Sequence, residues 1–173
     1  MSLTKTPICD FGKQAENFKL KSTDGKFLTL EDLKGKNGTL IMFICNHCPY
    51  LKAIISDVVK DCNILSKLGV NSVAICSNDV VNYPEDSFEN MSIFSKKNNF
   101  NFSYLHDETQ EVARKYGAVC TPDFFGYNGN LELQYRGRIR ELKDLKPIRD
   151  GDSDLLLAMR EISKTGNGPK EQI

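Results

Sequence analysis

The apolar positions of this 173-residue chain change period several times, and the changes mark out its elements. The run GTLIMFI at 38–44 is continuously apolar, the pattern of a short strand buried on both faces. From Cys48 to Leu68 the period becomes helical: Leu51, Ile54, Ile55, Val58, Cys62 and Leu65 recur at steps of three and four, and Gly69 stands where the helix should close. VNSVAIC at 70–76 is a second buried strand and FSYLHD at 102–107 a shorter third one. Between them Pro84 opens PEDSFENMSIFSKKNNF, predicted helical, with acidic residues early and lysines late, the order the helix dipole favours.

ETQEVARKYG reads as a compact helix ending at Gly117, and CTPDFFGYNGNLELQYRG as two strands joined by a tight NGN turn. GDSDLLLAMREISKTG supplies a last helix, capped by Asp152 or Ser153. Before all this, ENFKLKSTDGKFLTLEDLKGK predicts a β-hairpin around STDGK, then one helical turn between Thr29 as cap and Gly35 as stop. Strands alternating with helices, with antiparallel hairpins at both ends, argue for an α/β fold: a central mixed sheet flanked by helices, with an N-terminal β-hairpin extension. The organisation expected is an arm over 1–14, one domain over 15–165 and a tail over 166–173, without repeats or linkers.

Charge changes this picture only by exclusion. Lys and Arg total 23, as do Asp and Glu, so nothing electrostatic argues for nucleic acid or an anionic membrane as partner. No apolar run approaches the roughly 18 residues of a spanning helix, and the N-terminus has no signal-peptide pattern. The cytoplasm is the expected location, or the periplasm if a signal peptide has been removed. The basic stretch RGRIRELKDLKPIR at 136–149 reads as a solvated face.

The chemistry centres on Cys45 and Cys48, where the first buried strand gives way to the long helix. At a helix start, unpaired amides and the helix dipole stabilise a thiolate, and His47 between the pair adds to that when protonated. On this reading Cys45, at an exposed tip at the helix start, attacks a disulfide, and Cys48, one turn in and more buried, resolves the intermediate. Pro49 suits the first turn. The competing readings are a pair of buried structural thiols or half of a zinc site. Zinc commonly takes four ligands from two such pairs, and the chain has no second CxxC and only two histidines, His47 and His106. No metal and no cofactor are expected. A second supporting feature is CTPDFF, where Thr121 before Pro122 at a strand start invites a cis peptide bond.

Of the remaining cysteines, Cys62 falls on the apolar helix face, Cys76 ends a buried strand near the site, and Cys9 lies in the arm, open to intermolecular oxidation. His106 is expected to make a loop hydrogen bond, and Tyr83, in NDVVNYPEDS at 78–87, to line the site.

The blocks DGK, DLKGK, MFICNHCPY, SNDVVNYPEDSFENM and YLHDETQEVARKYGAVCTPDFF resemble the thioredoxin superfamily, and within it the peroxiredoxin-like branch of the alkyl hydroperoxide reductase/thiol-specific antioxidant family. The resemblance spans about residues 15 to 160. It implies a thioredoxin-like fold in which Thr121 and Pro122 form a substrate-binding loop facing Cys45 and Cys48, with Cys120 as a candidate third redox thiol. It implies a thiol–disulfide oxidoreductase acting on protein or small-molecule disulfides with a cellular thiol reductant, as monomer or homodimer. The alternatives are a weak thiol-dependent peroxidase and a non-enzymatic redox sensor.

Two departures qualify it. Aligning Cys48 with the peroxidatic cysteine of Pro-x-x-x-Thr-x-x-Cys puts Ile41 at the proline and Cys45 at the threonine, removing the hydroxyl that polarises peroxide. No carboxylate falls between Asp32 and Cys45, where thioredoxins carry a buried aspartate, so the sequence identifies no proton-transfer partner.

Overall fold

A computed structural model describes residues 9–171. Seven strands form one sheet in the order β2-β1-β5-β4-β3-β6-β7. They are β1 (Lys19–Ser22), β2 (Phe27–Thr29), β3 (Gly38–Phe43), β4 (Val70–Cys76), β5 (Ser103–His106), β6 (Asp123–Asn128) and β7 (Leu133–Gly137). β3, β4 and β5 run parallel, while β6 and β7 on one side and the β1–β2 hairpin on the other run antiparallel.

The continuous apolar run of β3 has the cause its pattern predicts. Leu40 and Met42 face one core layer with helix α2 (Pro49–Ser66) and helix α5 (Asp154–Thr165), while Ile41 and Phe43 face the opposite layer. That second layer is closed by α4 (Glu111–Tyr116), whose Tyr116 ring meets Phe43 at 5.6 Å and Phe125 at 5.9 Å. The short helix α1 (Leu30–Leu33) is set by a capping box in which Thr29 and Asp32 exchange side-chain and backbone hydrogen bonds. Ser153 caps α5, accepting from the Leu156 amide at 2.9 Å.

Several expectations need correction. The helix expected from Pro84 begins later: Pro84–Asp86 is a 3-10 turn, and α3 is Phe88–Lys97, capped by Ser87. α4 starts three residues late, because Asp107 caps it from a distance, accepting from the Val112 and Ala113 amides. The NGN turn is a wider connection, in which the Asn128 side chain accepts from the amides of Asn130 and Glu132 at 3.0 Å each. Of the expected arm, residues 1–8 lie outside the described residues. Residues 9–14 are tied down: Gly12 donates to the Leu133 carbonyl at 2.8 Å, Gln14 bridges to Glu132, and Cys9 is buried in the second core layer.

The basic segment is not simply a solvated face. Arg136 is buried, its guanidinium 2.8 Å from the Asp123 carboxylate, 2.8 Å from the Gly117 carbonyl and over the Phe125 ring. Arg140 is also buried and meets Asp57 of α2 at 3.0 Å. Paired carboxylates make burial of both cations tolerable. The rest of the segment forms a small hairpin of β8 (Leu142–Lys143) and β9 (Lys146–Pro147), turning through Asp144 and Leu145, both at positive φ.

Candidate active site

The register of the sheet builds the site. β3 and β6 are antiparallel neighbours with Phe43 opposite Asp123, so two further residues along β3 meet two residues before β6. Cys45 therefore stands across from Thr121, and its sulfur lies 3.5 Å from the Thr121 hydroxyl. The Thr121–Pro122 peptide bond is cis. Cys48 lies 3.8 Å from the Thr121 carbonyl, a bond its protonated form can donate.

The helix begins three residues later than the site reading needs. Cys48, not Cys45, is the N-cap of α2, with Pro49 as the first helical residue. The signal was in the sequence: proline fits the first helical position, which makes its predecessor the cap. Cys45 is neither at the helix start nor at an exposed tip. It is fully buried in the β3–α2 connection, and Cys48 is as deeply covered.

This placement reverses the electrostatic argument between the two sulfurs. Cys48 is pulled down to about 6, chiefly by the hydrogen bond from the Cys45 thiol, with the Leu51 and Tyr50 amides and the His47 charge adding to it against the cost of burial. Cys45 is pushed up, first by holding the proton of that shared bond, then by burial and by the nearby charge of Asp86. Both shifts favour the negative charge on Cys48 and the proton on Cys45.

One residue of the site escaped the sequence. Asp86, fully buried at the end of the 3-10 turn, brings a carboxylate oxygen within 4.8 Å of the Cys45 sulfur. Its carboxylate accepts from the Asn46 amide at 2.7 Å and from the Asn78 side chain at 2.7 Å, and lies 2.7 Å from His47 Nδ1. Asn46 is fixed in turn by donating to the Glu85 carbonyl at 3.0 Å and accepting from the Tyr104 hydroxyl at 2.8 Å. The segment 78–87, which offered no role in the sequence, is thus what presents Asp86 to the site. Tyr83 from the same segment stacks on His47, with centroids 5.2 Å apart.

Cys45, His47 and Asp86 place potential metal-ligand atoms within 4.8 Å of one another. Two ligands on one tetrahedral zinc stand about 3.3 Å apart at bond lengths of roughly 2.0–2.1 Å. The 2.7 Å between His47 and Asp86 is shorter than the spacing of two arms of a zinc site, and His47 Nδ1 makes no hydrogen bond among the described residues.

Beside the thiols runs a cleft of about 790 Å³ whose lining includes His47, Tyr50, Tyr83, Cys120, Thr121 and Pro122. Cys120 is partly exposed there, while Cys62 and Cys76 are buried and pushed up by burial to about 12 and about 11. His106 is a further correction: its Nε2 is buried with no hydrogen-bond partner among the described residues, and its ring packs 6.0 Å from Phe88.

The AhpC/TSA family matches residues 11–142. An uncharacterised conserved protein of Geobacillus kaustophilus has a crystal structure that superposes at a TM-score of 0.93 with 39% identity, over 99% of this chain and 92% of that one. A candidate peroxiredoxin, bcp, of Coxiella burnetii is 28% identical over 117 residues, 68% of this chain and 72% of its own length. A secreted disulfide oxidoreductase of Mycobacterium tuberculosis shares the fold at a TM-score of 0.57 with 19% identity, over 68% of this chain and 80% of that one.

Proposed function

The chain belongs to the AhpC/TSA family and has its redoxin chemistry, and from that premise we propose a thiol–disulfide oxidoreductase in which Cys48 attacks and Cys45 resolves. One observation carries the order of roles: Cys48 is the N-cap of α2, where the helix dipole favours a thiolate, while Cys45 lies three residues earlier in the β3–α2 connection. The Cys48 thiolate displaces one sulfur of a substrate disulfide, leaving a mixed disulfide on Cys48. Cys45 then attacks Cys48, releasing the second substrate thiolate and closing the Cys45–Cys48 disulfide. A cellular thiol returns the pair to the reduced state. Thr121 and Pro122 border the cleft through which substrate approaches, and Cys120, on the same wall, is the candidate third redox thiol.

The test is a glutathione redox titration with alkylation and peptide mapping of all six cysteines. Joint oxidation of Cys45 and Cys48 at one potential supports the proposal, and the potential gives the direction in which the pair works. If both stay reduced while Cys120 takes the disulfide, the mechanism fails. A second reading, thiol-dependent peroxide reduction at Cys48, is favoured by the complete burial of both sulfurs, which a small oxidant penetrates more easily than a folded protein. Peroxide consumption separates the two, and the missing threonine hydroxyl at position 45 predicts slow turnover. Among the described residues no helix is long and apolar enough to cross a membrane, and the proposed setting is the cytoplasm.

A further inference from the structure

Both sulfurs of the pair are fully buried, so a substrate disulfide has to enter through the cleft beside them. The cleft's volume of about 790 Å³ suits a small molecule, and Thr121, which contacts both sulfurs, is part of its lining. We propose that the cleft selects a small disulfide carrying carboxylate groups, and that Arg114 receives one of those carboxylates. This inference rests on the exchange at Cys48 and Cys45 proposed above and names the class of its substrate.

Helix α4 supplies the recognising wall. Gln110, Ala113 and Arg114 all line the cleft, and their spacing of three and four residues puts them on one face. The short Ala113 side chain leaves room between the carboxamide and the guanidinium, and the Gln110 side chain makes no capping bond to the helix. Arg114 is exposed and donates to the Thr109 carbonyl at 2.8 Å. It takes part in none of the ion pairs among the described residues. Its other N–H groups are therefore open, and a carboxylate matches such a fork with two parallel hydrogen bonds.

The other charged groups of the lining are engaged elsewhere. Arg138 is held by Asp154 at 3.1 Å and faces Glu141 at 3.6 Å. Asp79 is turned to its own loop, where it accepts from the Val81 amide and the Asn82 side chain. His47 is stacked on Tyr83. The approach to Cys48 thus favours an anion, although the chain as a whole has a formal net charge of zero. The exchange balances within the pair. The Cys48 thiolate and the Cys45 thiol close into a disulfide, the S–S bond of the substrate breaks, and its halves leave as one thiolate and one thiol that carries the former Cys45 proton. The dithiol is oxidised and the substrate disulfide reduced.

The experiment compares three disulfides of similar size and different charge: dithiodipropionate ends in carboxylates, hydroxyethyl disulfide in hydroxyls and cystamine in ammonium groups. Each is mixed with the reduced protein near neutral pH, and closure of the Cys45–Cys48 disulfide is followed by acid quench, alkylation and peptide mapping. Every rate is divided by the rate of the same disulfide with mercaptoethanol, which removes differences in intrinsic reactivity. The expected order is carboxylate over hydroxyl over ammonium, with at least about tenfold between the first and the last at low salt, narrowing as salt is added. Arg114→Gln removes most of that spread, and Arg114→Lys, which keeps the charge without the fork, restores part of it. Equal normalised rates, or a preference for cystamine, overturn the proposal, as does a spread that survives intact in Arg114→Gln. Failure of all three to oxidise the pair, the uncharged disulfide included, refutes the oxidoreductase reading itself, whereas exchange without charge preference refutes only the substrate class.

Discussion

Replacing Cys45 by alanine removes the thiol that donates to Cys48, the largest cause of its acidity. With Cys48 at about 6, roughly 90% is thiolate at pH 7, against about 1% for a thiol at the ordinary 9.0. The gain in rate is smaller than that ratio, because a more acidic thiolate is a weaker nucleophile. With a Brønsted slope of about 0.4–0.5, three pH units cost roughly 20-fold, leaving about a fourfold net advantage at pH 7. The midpoint is therefore a sharper readout than the rate. Iodoacetamide labelling of the reduced protein across pH, with the Cys48 peptide quantified, gives a midpoint near 6 in the wild type. In Cys45→Ala it moves up toward 9.0, since the Tyr50 and Leu51 amides and His47 are left alone against burial. A midpoint that stays near 6 in the variant refutes the role of the Cys45 thiol. An acidic midpoint at Cys45 in place of Cys48 refutes the whole assignment.

Asp123→Ala strips the buried Arg136 of its carboxylate and should cost about 3–5 kcal/mol, read as a fall of roughly 10 °C in thermal melting. Ser153→Ala removes the α5 cap and the hydroxyl that donates to Asp61, costing about 1–2 kcal/mol in urea unfolding. Burial raises Asp61, so the fold favours its protonated form, and stability is lost as pH climbs through that raised value. Asp61→Asn should therefore match or exceed the wild type at pH 7 and lose that advantage below the ordinary 3.8. Cys120, in the cleft wall, should be alkylated at least tenfold faster than the buried Cys62 and Cys76 under native conditions, measured by peptide mapping; equal rates would mean the cleft is closed in solution.

What the sequence made legible was whatever a short window of residues determines. The unbroken apolar run of β3, the three-and-four spacing of α2 and the Thr29 cap each have a local cause, and each element is present. The site was legible in its residue types, less so in its geometry. A shift of three residues in the helix start moved the cap from Cys45 to Cys48, and with it the argument about which sulfur ionises. Asp86 carries no local mark, because it reaches the thiols only when the loop after β4 folds over the β3–α2 connection. Arg136 and Arg140 look like surface residues until the carboxylates that accompany them, Asp123 and Asp57, are brought up by the fold.

The small β8–β9 hairpin offers a use apart from chemistry. Its turn residues, Asp144 and Leu145, have φ of 51° and 62°, the left-handed pair of a two-residue hairpin. None of residues 141–150 lines the cleft, and the base of the excursion is latched to α2 and to its own far end through Arg140, which meets Asp57 and donates to the Gly151 carbonyl at 3.1 Å. Lengthening a loop costs only about 0.6 kcal/mol for each doubling. The Asp144–Leu145 turn is therefore where a reporter peptide or a fused domain could be spliced in while the redox centre works undisturbed, giving the protein a handle for capture that leaves both termini untouched.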